Sequence, residues 1–461
     1  MWTIIAGVLL LVPSSVTIAW HVVCWLAGKR FRSAPETAFD EVTVSVLVPT
    51  RNDPPELLER VVESVSLLSW PKDKLELIVV SDDPGQRGLL LKKLVESKSS
   101  ELGLDSKVIV RDSPVGKRCG ALNEAFRVSR GEYIMLLDMD NKPHPLTLRS
   151  AAAYLSKGYA ACVPRWSSYS YRETRVSTTV AASTDFLSDS IFKGRAALGL
   201  FIFPVSGVVY KRQVLESLGL WDLKVVQDDM WMGVKLISNG MKVAFSDGTP
   251  VEVLVPHTYK AFKIQQSKWF YGVMDVLRRG TPKVLKSKSA PFVQRLEALF
   301  YLCQQVPPCC VLLGTFLLSA VALSTSKDVA LTLLPALAAW WVFNFVEAST
   351  FLKSQLDRGK NVWDSLFALG RSAAMAFALA PSLLISGLTG LTGIRMGYKI
   401  TPKGEEEKTE AGVRDVTGEA LALTSLLALT VALIIRGAFV TASVVVCAAI
   451  PFAYVFIRLL R

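Results

Sequence analysis

The spacing of apolar and polar positions divides the chain into three zones. Residues 1–28 are nearly continuous apolar sequence, closed by Lys29, Arg30 and Arg32. That stretch is long enough to cross a bilayer and lacks a basic segment before it, so it reads as a retained anchor rather than a cleaved leader. From about Phe39 to Lys288 short apolar runs alternate with helical spacing. VTVSVLVPT predicts a strand, PPELLERVVESVSLL an amphipathic helix opened by proline, and LELIVVSDD a second strand. GLLLKKLVESK predicts a helix, KVIVRDS a third strand, and GKRCGALNEAFRVS a helix leading into the strand YIMLLDMD. Strand–helix units of this length predict a mostly parallel, doubly wound α/β domain, whose ligands bind beyond the carboxyl ends of the strands.

From about Pro291 the pattern turns apolar again. FVQRLEALF predicts a helix lying in the membrane interface. Spans are expected at about 299–323, 329–352, 421–435 and 438–457, with the stretch 362–393 apolar but interrupted by Arg371, Pro381, glycines and serines. Treating that stretch as interfacial puts Lys353, Arg358, Lys360, Arg395, Lys399 and Lys403 on the side of Lys29, Arg30 and Arg32, which the positive-inside rule makes cytoplasmic. The expectation is therefore five spans, an N-terminal transmembrane helix at 1–28 with its start outside, and a cytoplasmic domain at 39–288. Transmembrane and interfacial helices follow at 291–461, with a cytoplasmic loop near 395–419. The expected location is the plasma membrane, as an integral protein.

Composition supports that division. Of 461 residues 51% are apolar, and the net charge is +12; the mean hydropathy is +0.36. Beside hydrophobic spans, positive charge points to lipid headgroups rather than nucleic acid. Seven cysteines without a CxxC pair, and three scattered histidines, build neither a disulfide framework nor a zinc site.

Three polar clusters end predicted strands: Asn52–Asp53, Asp82–Asp83 and Asp138–Asp140. Asp138 and Asp140 are two apart, so both carboxylates can approach one hard divalent cation; an ordinary loop is the competing reading. Two such carboxylates repel unless something positive lies between them, whether a metal, a basic side chain or solvent. Asp228–Asp229 opens a helical pattern, fitting either a helix cap or a general base. In KIQQSKWFYG, Gln265, Lys268 and Trp269 fall on one helical face, with Trp269 offering a flat surface to a sugar ring or to the membrane interface.

In this order the motifs resemble the family 2 glycosyltransferases with a GT-A (Rossmann-like) fold. More narrowly they resemble the membrane-integrated cellulose-synthase-like and hyaluronan-synthase-like branch, compact polyprenyl-glycan mannosyltransferases among them. VSVLVPTRND is similar to that branch's first strand and loop, GKRCGALN to its basic nucleotide-side motif, QDD to its Thr-Glu-Asp, and YKITPKGE to its gating loop. The resemblance implies Asp53 and Asp83 at the nucleotide's base and ribose, and Lys117 and Arg118 facing the diphosphate. Asp138 and Asp140 would position a metal–diphosphate unit, with Mg²⁺ or Mn²⁺ as cofactor. Asp229 matches the catalytic base, and Asp228 beside it is placed with the acceptor. Gln265, Lys268 and Trp269 match the acceptor and diphosphate motif; Thr401 and Lys403 match the gating loop. Two departures stand out: Gln227–Asp228 replaces Thr-Glu, and Lys268 replaces an arginine, keeping charge but losing its fork.

What the resemblance implies is an inverting hexosyltransferase. It would move a sugar, GDP-mannose being the first expected donor and UDP-glucose the second, to a membrane-bound, polyprenyl-linked glycan with a β-linkage. The alternative is a processive β-polysaccharide synthase that extrudes its product. A reading from another class, a nucleotide-sugar transporter or sensor, calls for ionisable residues deep in several spans. Those are few here; Asn344 and Glu347 in FNFVEAS form the polar patch to be explained.

Overall fold

The structure, a computed structural model, describes residues 1–33, 39–325, 327–397, 401–404, 407 and 413–460. Among the described residues eight strands form one sheet: β1 Val44–Thr50, β2 Leu75–Ser81, β3 Asp105–Val110, β4 Tyr133–Leu136, β5 Asn141–Pro143, β6 Ala161–Ser170, β7 Val209–Lys211 and β8 Val243–Val255. Their order is β3-β2-β1-β4-β7-β6-β8-β5. From β3 to β4 the strands run parallel, linked by the helices Pro55–Ser66, Gly85–Glu101 and Lys117–Val128. β7 lies antiparallel to β4 and β6, and β8 runs parallel to β6. This is the mostly parallel, helix-flanked sheet that the strand–helix spacing predicts, and it is GT-A-like, as the resemblance implies.

Burial explains the elements. Every residue of β2 is buried, as a central parallel strand between helical layers must be. The helix Pro55–Ser66 buries Leu57, Leu58, Val61, Val62 and Val65, one apolar stripe against the sheet. β3 stops at Val110, one residue before Arg111, whose side chain turns inward onto Asp82. β4 ends at Leu136, and the chain turns at once into β5, which pairs with β8 through Asn141↔Val253. Asp138 and Asp140 thus sit on a short turn pinned at both ends.

Among the described residues, five stretches are long and apolar enough to cross a membrane: Trp2–Gly28, Pro307–Thr325, Val329–Asp357, Thr417–Ile435 and Phe439–Leu459. The span expected from residue 299 begins at Pro307 instead. Phe292–Leu302 is a separate helix, and the prolines at 307 and 308 start a new one. The interrupted stretch folds as Val362–Ala378 and Ala380–Thr392, bent by 49°. The bend falls just before Pro381, which cannot continue the preceding hydrogen-bond ladder.

Two of the contacts between the sheet domain and the apolar helices show how the two are held together. The long helix Tyr259–Lys286 lies against Ala380–Thr392 at two glycines: a Cβ on Gly390 would come within 2.4 Å of the Tyr271 carbonyl oxygen, and one on Gly387 within 2.5 Å of the Phe270 ring. Only glycine lets the two backbones approach this closely. Elsewhere Arg358, at the end of the helix Leu334–Asp357, reaches Asp189 at 2.6 Å and Asp185 at 3.2 Å.

Candidate active site

A cavity of about 1070 Å³ opens at the carboxyl ends of β1, β2 and β4 and is walled by the helix Tyr259–Lys286. Asp53, Lys117, Arg118, Asp138, Asp140, Asp228, Asp229, Gln265, Lys268, Trp269, Thr401 and Lys403 all line it. Residues from six separate stretches of sequence therefore share one cleft. Of the gating-loop motif, Tyr398, Lys399, Ile400 and Glu405 lie outside the described residues.

Asp83 is placed differently from its expected nucleotide contact. It is fully buried and does not line the cavity; its carboxylate accepts from the Asn52 backbone N–H at 2.7 Å and from Ser81 Oγ at 2.9 Å. Asn52 takes a left-handed conformation (φ 54°), so Asp83 holds the loop that presents Asp53. Asp53 in turn accepts from the Arg51 backbone N–H at 3.1 Å and from Thr50 Oγ1 at 3.2 Å. The acid of this pair that borders the cavity is Asp82, clamped by Arg111 with Nε–Oδ1 at 2.6 Å and Nη2–Oδ2 at 2.8 Å. Both partners are about 5% exposed. Removing one leaves an uncompensated charge, so Arg111→Ala is expected to cost about 3–5 kcal/mol. Thermal melting in detergent should show a large fall; an unchanged midpoint would count against this clamp.

Arg118 also departs from its expected role. Its Nε lies 3.2 and 3.3 Å from the Asp228 oxygens and its Nη1 bonds Asp138. Instead of pointing freely at a diphosphate, Arg118 is a strut between the D-x-D turn and the helix Asp228–Ser238. Lys403 stands between Asp140 at 3.0 Å and Asp53 at 3.1 Å. The opposed carboxylates of the turn are thus each matched by a protein cation. Burial raises Asp138, but Arg118 and Lys403 outweigh it and hold its carboxyl below the usual range. Burial raises Asp140, and the nearby Asp138 and Asp53 keep it up against the pull of Lys403. Lys403 itself is raised by Asp140, Asp53 and Asp138 despite its burial.

Among the described residues no group of three His, Cys, Asp or Glu side chains is placed to enclose a metal. The donor set fits a different kind of site. Two adjacent carboxylates under mutual repulsion suit a Mg²⁺ or Mn²⁺ ion whose remaining positions are filled by substrate phosphate and water. The ammonium group on Asp140 shows that this corner accepts positive charge.

Asp229 occupies the cavity floor at the start of the helix Asp228–Ser238, where its Oδ1 accepts from the Met230 backbone N–H at 2.8 Å. Burial, and then the charge of Asp228, push its carboxyl up to about 7. A carboxylate that titrates near neutrality is suited to proton transfer. Across the floor, Gly272 lets the helix Tyr259–Lys286 meet this turn: a Cβ there would be 2.7 Å from that of Gln227. The helix is started by Thr258, whose Oγ1 accepts from the Ala261 N–H at 3.2 Å. Burial lowers Lys268, with help from Lys403.

Glu407 was not marked by any motif, lying in the charge run GEEEKTE. One oxygen accepts from the backbone N–H groups of His257 at 2.7 Å and Thr258 at 2.6 Å and from Thr258 Oγ1 at 2.9 Å. It pins the segment bearing Thr401 and Lys403 to the start of the helix carrying Trp269. Only the folded chain shows which glutamate of the run does so.

The profile for Glycosyl transferase family 2 matches residues 45–219, and that for Glycosyl transferase family group 2 matches residues 133–344. A probable glycosyltransferase of Sulfolobus acidocaldarius is 31% identical over 418 residues, covering 89% of this chain and 88% of the relative. A glucomannan 4-beta-mannosyltransferase of Arabidopsis thaliana is 24% identical over 50% of this chain and 45% of its own length. In fold, the chain is similar to a mannosyltransferase from Pyrobaculum calidifontis solved in complex with GDP-Man and Mn2+. That likeness has a TM-score of 0.56 at 19% identity and covers 86% of this chain and 100% of the other. With near full-length similarity added to a cleft that gathers these acids, the chain belongs to the family 2 glycosyltransferases.

Proposed function

We propose that this glycosyltransferase moves a hexose, mannose first, from a nucleoside diphosphate sugar to a polyprenyl-linked glycan held at the membrane, with inversion and a β-linkage. One observation carries the reading. Asp229 and the D-x-D turn border one cavity and are tied together through Asp228, Arg118 and Asp138. An acid able to hold a proton therefore faces the corner where a leaving diphosphate would be stabilised.

In this mechanism Asp229 takes the proton of the acceptor hydroxyl as that oxygen attacks the anomeric carbon from the face opposite the diphosphate. Displacement in one step converts an α-linked donor into a β-linked product. Lys117 and Lys268 lie on the cavity wall to meet the departing phosphates, while Arg118 keeps Asp138 and the helix bearing Asp229 in register. A divalent cation held by Asp138 and Asp140 would supply further charge neutralisation on the diphosphate. Trp269 offers its face to the acceptor sugar. Mannose as the transferred sugar is supported by the names of the plant relative and of the structure with GDP-Man. A cytoplasmic catalytic domain, in the plasma membrane with the N-terminus outside, is supported by Lys29, Arg30 and Arg32 following the first span, and by Arg358 meeting Asp189 of the soluble domain.

The test is nucleotide release by protein in nanodiscs from GDP-mannose, UDP-glucose and UDP-N-acetylglucosamine, with and without lipid extract. GDP-mannose should give the fastest release, stimulated by extract, with product extended by one or a few sugars. Equal release from all three donors, or none from any, overturns the reading. A ladder of long polymers would point instead to a processive synthase.

A further inference from the structure

The polar patch in FNFVEAS closes on its own neighbours: Asn344 donates to the Trp340 carbonyl at 2.8 Å, and Glu347 Oε1 lies 2.5 Å from His21 Nδ1. A different set of uncharged side chains gathers around the D-x-D turn. Ser206, just before β7, borders the cavity and is 8% exposed. Gly207 beside it takes a left-handed φ of 91°, and a Cβ there would meet Pro164 and Val251 at 2.9 Å. Its N–H donates to the Leu136 carbonyl at 2.7 Å. Only glycine fits this conformation and this space, so β4, β6 and β8 together set Ser206 in place.

The Asp138 backbone N–H meets two acceptors, Asn141 Oδ1 at 2.8 Å and Ser206 Oγ at 2.9 Å, and the Ser206 hydroxyl donates in turn to Asn141 Oδ1. Trp166 Nε1 holds the Ser206 carbonyl at 2.8 Å. On the other acid, the Asp140 carbonyl accepts from the Tyr169 hydroxyl at 2.8 Å, and Lys142 Nζ lies 3.6 Å from the centroid of that ring. One acceptor is enough to satisfy a buried N–H. The second therefore adds little to the stability of the fold, but it fixes the direction of the peptide from which the Asp138 carboxylate projects. Such fixing matters at a cation site, whose ligands tolerate only about 0.5 Å of displacement.

Resting on the metal reading above, we propose that Ser206 and Tyr169 are positioning residues of the D-x-D turn, each setting one of its two acids for the divalent ion. Neither hydroxyl reaches the ion itself. Without them both carboxylates remain, but they are aimed loosely, and the affinity for the ion falls.

Mn²⁺ binding to the protein in nanodiscs is followed by electron paramagnetic resonance with GDP present, and GDP binding is measured separately in EDTA. Ser206→Ala and Tyr169→Phe should each weaken Mn²⁺ about tenfold, as loss of a partner behind a metal ligand does. GDP affinity in EDTA and the melting midpoints should remain near wild type, because Asp138 keeps its bond to Asn141. Ser206→Thr, which retains the hydroxyl, should recover most of the loss. Unchanged Mn²⁺ affinity in both variants, or an equal loss of GDP binding in EDTA, would overturn the proposal. A wild type that binds GDP but no Mn²⁺ strikes the metal reading instead. Hydrogen exchange over residues 133–143 then tests the two hydroxyls directly: it should quicken in Ser206→Ala and Tyr169→Phe, and unchanged exchange in both overturns their positioning role.

Discussion

Asp229→Asn should lower sugar transfer by about 10²–10⁴-fold, the usual contribution of a general base, while GDP-mannose still binds. The carboxylate is surrounded by Asp228 on its own helix, Arg118 and Asp138. Only its ionised form accepts a proton, and it is raised to about 7. The wild-type rate at low substrate should therefore climb with pH up to about 7 and level off above. The stability effect has the opposite sign. A carboxyl whose folded value lies above its ordinary 3.8 favours the fold below that value and loses this advantage as pH rises towards 7. Asp229→Asn is spared that loss, so it should melt no lower than wild type at pH 7. Retained turnover, or loss of donor binding in this variant, would remove Asp229 from the role of base.

Asp140→Ala should be nearly as damaging for a different reason. It deletes one of the two carboxylates proposed to hold a divalent ion and the 3.0 Å partner of Lys403. A missing element of charge stabilisation at a reacting centre costs about 10²–10³-fold. Mn²⁺ binding followed by electron paramagnetic resonance gives a readout apart from catalysis, and affinity should fall while Asp83→Asn leaves it intact. If Asp140→Ala binds Mn²⁺ as wild type does, the D-x-D turn is not a metal site.

The two assignments differ in how far they could be read without coordinates. Asp138 and Asp140 were visible because a short acidic motif follows an apolar run, and the order of such runs predicts which strand ends face the same side; Asp229 was marked by an acidic pair opening a helical pattern and by the family resemblance. Asp83 and Arg118 were harder. Whether an acid next to a strand end points into the cavity or into the loop depends on one backbone angle, the left-handed turn at Asn52. Arg118 sits on a helix facing two acids from distant parts of the chain, one on the turn after β4 and one at the start of the helix Asp228–Ser238, and nothing local announces that both would claim it.

Periodicity alone was enough for the alternating strands and helices, the anchor and the apolar spans, because burial of a strand or helix face is a local property of residue spacing. Charge and motif order were enough to name the chemistry. The folded chain alone decided which carboxylates pair with Arg118, Arg111 and Lys403, and which glutamate closes on Thr258. It also decided that the cleft runs on to His21, and that Gly387 and Gly390 bring the helix Tyr259–Lys286 against the apolar helix Ala380–Thr392. Those outcomes depend on distances between residues far apart in the chain, and an ion pair or a glycine contact exists only once both backbones have been placed within a few ångströms.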